Sequence, residues 1–151
     1  MYFDKKINFF HLNVNSQKEL FETLANELVK NDIVKESYLE GISEREAEYP
    51  TGILFENTGF AIPHTDSKHV KQSQICFASL AKPVEFKDMM DKSKTVSVEL
   101  VFMLAMSQPH EQVETLQNLM TLFQDKVAVE KIKECNGDEE FSEILQNANI
   151  Y

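Results

Sequence analysis

The sequence predicts a layered domain with helices on both faces of a sheet, of α/β or α+β class. Three observations carry that reading: a capped amphipathic helix near the start, a block of short strand-like runs between residues 53 and 106, and helical periodicity that returns after Pro109. At 151 residues, 42% of them apolar, the chain has material for a single domain whose core needs neither metal nor disulfide.

Each element has its own local cause. Ser16-Gln17-Lys18-Glu19 is the pattern of a capping box, and Leu20, Phe21, Leu24, Ala25, Leu28 and Val29 follow at helical spacing. A second helix is expected over about 35–48, with Tyr38, Leu39 and Ile42 as its apolar stripe. Its last turn carries Ser43-Glu44-Arg45-Glu46, which sets Arg45 near a helix C-terminus. After Pro50 come four β-like runs: Ile53 to Phe55, Phe60 to Ile62, Gln74 to Leu80 and Val96 to Met106. In the last run apolar residues occupy both parities, as in a strand covered on both faces, so it is expected mid-sheet. Pro109 suits the first turn of a further helix, with Val113, Leu116, Leu119, Met120 and Phe123 facing the core. Two shorter helices are expected, one near 126–134 and one after Asn136-Gly137, capped by Asp138, with Phe141, Ile144, Leu145 and Ala148 facing in.

Composition narrows the function. Twenty-five acidic against fifteen basic residues give a net charge of -10, which repels nucleic acid and anionic membranes and favours a partner with a basic face. No signal-peptide pattern opens the chain, no apolar run approaches the ~20 residues of a membrane span, and Cys76 and Cys135 have no CxxC spacing. A reduced, cytoplasmic protein without membrane insertion is expected. His64, Asp66 and His69 lie within six residues but lack the HExxH arrangement, and the four glycines form no phosphate loop, so neither metal nor cofactor is expected. The two cysteines read as packing and turn residues.

The chemistry concentrates in Gly59-Phe60-Ala61-Ile62-Pro63-His64. Pro63 fixes its own φ and removes a backbone donor, so it ends the apolar run and pins the direction of His64. A lone histidine in a small domain is commonly a hydrogen-bonded bystander. A neutral imidazole can equally offer one nitrogen to an electrophilic phosphorus while a backbone carbonyl orients the other. Such a transfer needs a cation for the phosphoryl oxygens, and the nearest arginine in sequence is Arg45. Read alone, Arg45 is equally a solvated charge offsetting a helix dipole.

These residues resemble a known family. Arg45-Glu46-Ala47-Glu48-Tyr49-Pro50-Thr51-Gly52-Ile53, followed by the run ending Ala61-Ile62-Pro63-His64, looks like the "RE...TG" and "AIPH" signatures of phosphotransferase-system (PTS) EIIA components of the fructose and mannitol type, closest to the galactitol-specific branch. The resemblance runs over nearly the whole chain. It implies a mixed, mostly parallel sheet between helices, and a protein that takes a phosphoryl group from the phosphohistidine of HPr and passes it to a cysteine of a sugar-specific EIIB, and through it serves membrane-bound EIIC. By position, His64 matches the phosphorylated histidine and Arg45 the active-site arginine. The mannitol and fructose branches carry a second histidine in an HLxxLxxL pattern, where this chain has Gln112, with His110 two residues earlier. Gln112 is therefore the third candidate site residue. The competing class is a regulatory EIIA-like protein whose phosphorylation state controls a partner; free-standing length and the lack of a helix-turn-helix favour transport.

Overall fold

The chain, seen here as a computed structural model that describes residues 2–148, runs through β1 (Asn8–Leu12), α1 (Gln17–Lys30), α2 (Tyr38–Glu48), β2 (Gly52–Phe55), β3 (Thr58–Ala61), β4 (Gln74–Lys87), β5 (Thr95–Ala105), α3 (Pro109–Phe123), α4 (Lys126–Glu134) and α5 (Asp138–Asn147). The strands form one five-stranded sheet in the order β1-β4-β5-β3-β2. β1 runs parallel to β4 and β3 parallel to β5, whereas β4 with β5 and β2 with β3 are antiparallel. The sheet is mixed, as expected, with a larger antiparallel share than the resemblance implies.

The two parities of β5 decide the layering. Val101, Met103 and Ala105 pack with Leu20, Leu24, Leu28, Tyr38 and Ile42 of α1 and α2. Leu100, Phe102 and Leu104 pack with Leu119, Phe123, Ile132, Phe141 and Leu145 of α3 to α5. The central strand is thus covered on both faces, which its doubly apolar sequence demands. On the second face Phe60 stacks on Phe123 with centroids 4.0 Å apart, and Phe77 on Phe141 at 4.3 Å. Each such ring, fully buried, contributes about 1.5–3 kcal/mol.

Several boundaries differ from expectation for local reasons. β4 continues to Lys87, past Leu80, because a register shift between Ser79 and Val84 absorbs the polar, proline-bearing stretch, after which Val84 and Phe86 again face the core. β1 has no forecast: it is a five-residue edge strand whose alternation breaks at His11, with φ of 55°. The cap of α5 is Gly137 rather than Asp138; Asp138 is the first helical residue, and its carboxylate accepts from Asn8 Nδ2 at 2.9 Å. In α3 the buried face runs through Thr115, Leu119, Leu122 and Phe123, leaving Val113 58% exposed. The rest of the expected stripe does face the core: Leu119 and Phe123 are buried in it, and Leu116 and Met120 pack against it.

Candidate functional site

His64 stands where β3 stops. Pro63 has no N–H to give, but its carbonyl accepts from Leu104 N at 2.9 Å, which carries the pairing with β5 past the end of β3. The histidine therefore emerges at the carboxyl ends of two parallel strands, where sheets of this kind hold ligands. Its Nδ1 lies 2.7 Å from the Ile62 carbonyl oxygen. A carbonyl only accepts, so Nδ1 carries the proton and Nε2 the lone pair. Burial of the ring lowers its pKa, and the Arg45 charge lowers it further, while the Ile62 bond pulls the other way. The net shift is downward, so near pH 7 His64 is a neutral base with a fixed tautomer.

Arg45 occupies the last turn of α2, as the sequence predicts. Its guanidinium carbon lies 4.9 Å from the centroid of the Tyr49 ring. Nη1 is 3.9 Å from Asp66 Oδ1, too far for a hydrogen bond, and the buried Nε has no partner among the described residues. The donor fork is thus largely unspent. α2 is anchored at both ends: Tyr38 donates its hydroxyl to Leu104 O at 2.7 Å, and the Glu46 carboxylate accepts from Thr51 N at 2.7 Å and Thr51 Oγ1 at 2.8 Å.

The segment after His64 folds against α2. His69 Nδ1 pairs with Ser37 Oγ at 2.8 Å, and its ring lies so close to Gly41 that a Cβ there would meet Nε2 at 2.9 Å. A glycine in mid-helix costs about 1 kcal/mol relative to alanine, and this close approach is its use. His69 is thereby turned to α2, and the described residues hold no group of three metal-ligating side chains that could hold an ion. Arg45, Tyr49, Thr65, Asp66 and His69 line a cavity of about 240 Å³ between α2 and the segment that follows His64. A larger one of about 440 Å³, between Phe55, Phe60, Phe123 and Lys126, lies by Thr58 at the opposite end of β3, away from the chemistry.

Gln112 sits in the first turn of α3, half-buried, and makes no hydrogen bond to His64. It lies three residues before the buried Thr115 and seven before the buried Leu119, so it shares their inward face. His110 points about 200° from Gln112 and is exposed. Gln112 therefore lies on the inward side of α3 although its neighbour Val113 faces out.

Glu46, Tyr49, Thr51 and Asp66 were not forecast as site residues. For Glu46 a signal existed: it falls at the helical position that follows the Tyr38 and Ile42 stripe, and it is buried like them, at 5% exposure. For Asp66 none existed beyond its nearness to His64.

A buried neutral histidine at a strand end, in the field of an arginine whose donors are largely unspent among the described residues, is an arrangement suited to an anionic group. The family model for the phosphoenolpyruvate-dependent sugar phosphotransferase system, EIIA 2, matches residues 1–148, and the chain belongs to that family. The galactitol-specific EIIA component of Escherichia coli strain K12 is 31% identical over 116 residues, 77% of each chain. The transcriptional regulator ManR of Bacillus subtilis strain 168 is 30% identical over 131 residues, which are 85% of this chain and 19% of that protein. The fold matches enzyme IIAMTL in its complex with phosphorylated enzyme IIBMTL from E. coli, with a TM-score of 0.75, 22% identity and coverage of 94% and 95% of the two chains.

Proposed function

We propose that this protein is a cytoplasmic phosphoryl carrier of a sugar-transporting phosphotransferase system, with HPr as donor and a cognate EIIB, coupled to membrane EIIC, as acceptor. The observation that carries the reading is the hydrogen bond from His64 Nδ1 to Ile62 O, because it leaves the lone pair of a neutral ring on Nε2. In the first step Nε2 attacks the phosphorus of phospho-HPr; the new N–P bond forms as the donor's N–P bond breaks, and the donor imidazole leaves. The positive charge that develops on the His64 ring is stabilised by the Ile62 carbonyl, and Nδ1 keeps its proton throughout. Arg45 offers its donors to the equatorial phosphoryl oxygens, and Gln112, half-buried in the first turn of α3, is the candidate to add its amide. In the second step a thiolate of EIIB attacks the same phosphorus, the His64 N–P bond breaks, and neutral imidazole returns. The similarity to the galactitol-specific component supports galactitol or a related polyol as the cargo of the partner transporter.

A second reading is favoured by the ManR similarity: phosphorylation of His64 switches the affinity of a partner protein instead of feeding a transporter. Incubation with phosphoenolpyruvate, enzyme I and HPr tests what both share. A single acid-labile, base-stable phosphate on His64 is expected, lost in folded His64→Ala; labelling that survives in this variant overturns the assignment. Chase with purified EIIB then separates the two, since a carrier discharges to it and a regulator does not.

A further inference from the structure

Glu46 is an expensive residue for its task. It is 5% exposed, it receives both the N–H and the hydroxyl of Thr51, and burial raises its carboxyl to about pH 7 against the pull of those two bonds. A loop this short could be closed by a neutral group at lower desolvation cost. What the carboxylate gains is a connection between two parts of the site. On one side it follows Arg45 in the last turn of α2. On the other, Thr51 precedes Gly52, which pairs with Ala61, three residues before His64. Ala61 is followed directly by Ile62, whose carbonyl holds the His64 ring.

Gly52 itself cannot drift. Its carbonyl accepts from Met89 N at 2.8 Å, and a Cβ on it would lie 2.6 Å from Lys87 O, so the backbone there is clamped between β3 and the end of β4. Thr51 is thus a fixed post, 2% exposed. Within the bracket from 46 to 51 lies Tyr49, whose N–H closes on Arg45 O and whose ring lies beside the Arg45 guanidinium. Among the described residues Arg45 has no close polar partner of its own, since the Asp66 contact is 3.9 Å. Its direction is therefore set by the backbone of the last turn and by Tyr49, and the Glu46 clasp holds both against the sheet.

We propose that Glu46 is a positioning residue: by tying the end of α2 to Thr51 it holds Arg45, through Tyr49, in fixed register with the phosphoryl group on His64. This rests on the carrier reading above. It assigns Thr51 the complementary half of the clasp.

A double-mutant cycle on the full chain tests it, with phospho-HPr as donor and single-turnover labelling of His64 as readout. Glu46→Ala should slow transfer about 10-fold to 100-fold at saturating donor with little change in the half-saturating donor concentration, because a misplacement of about 1 Å in a charge-stabilising group has that effect. Glu46→Gln should recover most of the rate, since its amide can still accept from Thr51 N while donating to Thr51 Oγ1. In an Arg45→Lys background, Glu46→Ala should slow transfer less than two-fold further, because the group it positions is gone. Should Glu46→Ala unfold the chain, Thr51→Val removes the hydroxyl half of the same clasp, leaving the backbone N–H bond, and is read in the same cycle with a smaller expected loss. Equal, multiplicative losses in both backgrounds would overturn the proposal and make Glu46 a stability residue only. Failure of the wild-type protein to label would instead overturn the carrier reading, which keeps the two failures distinct.

Discussion

Arg45→Lys isolates what the guanidinium contributes, because it keeps the unit charge and removes the planar fork and the face over Tyr49. The charge that helps lower the His64 pKa is retained, so the ring stays neutral and nucleophilic. What is lost is a pair of charge-assisted hydrogen bonds to the transferring group. Such contacts contribute about 2–4 kcal/mol to a transition state when fully desolvated. The Arg45 side chain is 37% exposed, so the lower end applies, ~2 kcal/mol, equivalent to about 30-fold in rate. Stability should barely change: the 3.9 Å contact to Asp66 contributes close to nothing, and the loss of the Tyr49 contact costs about 0.5–1 kcal/mol, a fall in Tm of roughly 1–4 °C. Quench-flow transfer from phospho-HPr, with a melting curve on the same sample, measures both. A wild-type transfer rate in a folded Arg45→Lys protein would refute the reasoning and reduce Arg45 to a helix-end charge.

Further outcomes are expected elsewhere in the site. Gln112→Ala should slow transfer or shorten the phosphohistidine lifetime by about 10-fold, the loss of one hydrogen bond to a charged group, whereas His110→Ala should change either by no more than a few fold; the reverse order would refute the register of α3. Glu46 should also write itself into the pH dependence of stability. Its folded pKa, about 7, lies above the ordinary 4.5, so its favourable contribution is complete below 4.5 and is lost as pH rises through 7. Wild type should therefore lose Tm relative to Glu46→Gln between pH 4.5 and 7.5, and parallel Tm curves for the two would contradict the burial argument.

Much of this site was legible where a single local rule was decisive. Pro63 alone announced the end of β3 and a fixed His64, and the charged last turn of α2 announced Arg45. The doubly apolar run of β5 announced a sheet covered on both faces. What stayed hidden depended on contacts between segments. The role of Glu46 needs Thr51 brought to it by the pairing of β2 with β3, and nothing in either residue's neighbourhood states that pairing. On α3 the apolar face was legible except at Val113, which looks like a core residue but is exposed, while Thr115, with its hydroxyl 3.7 Å from Met106 Sδ, takes an inward position. β1 was missed because a short edge strand stabilised by partners gives little internal periodicity to read.

The sheet also separates two cores that share no buried side chain: one beneath α1 and α2, the other beneath α3 to α5. Arg45 lies on α2, which covers the first core, and Gln112 on α3, which covers the second. The arginine side and the glutamine side can therefore be rebuilt independently. On the carrier reading proposed above, repacking Leu119 and Phe123 of α3 against Phe102 would retune how a partner approaches the histidine while the α2 layer, and with it Arg45, keeps its place. A domain divided in this way would change its clientele by altering one wall and leave the chemistry to the other.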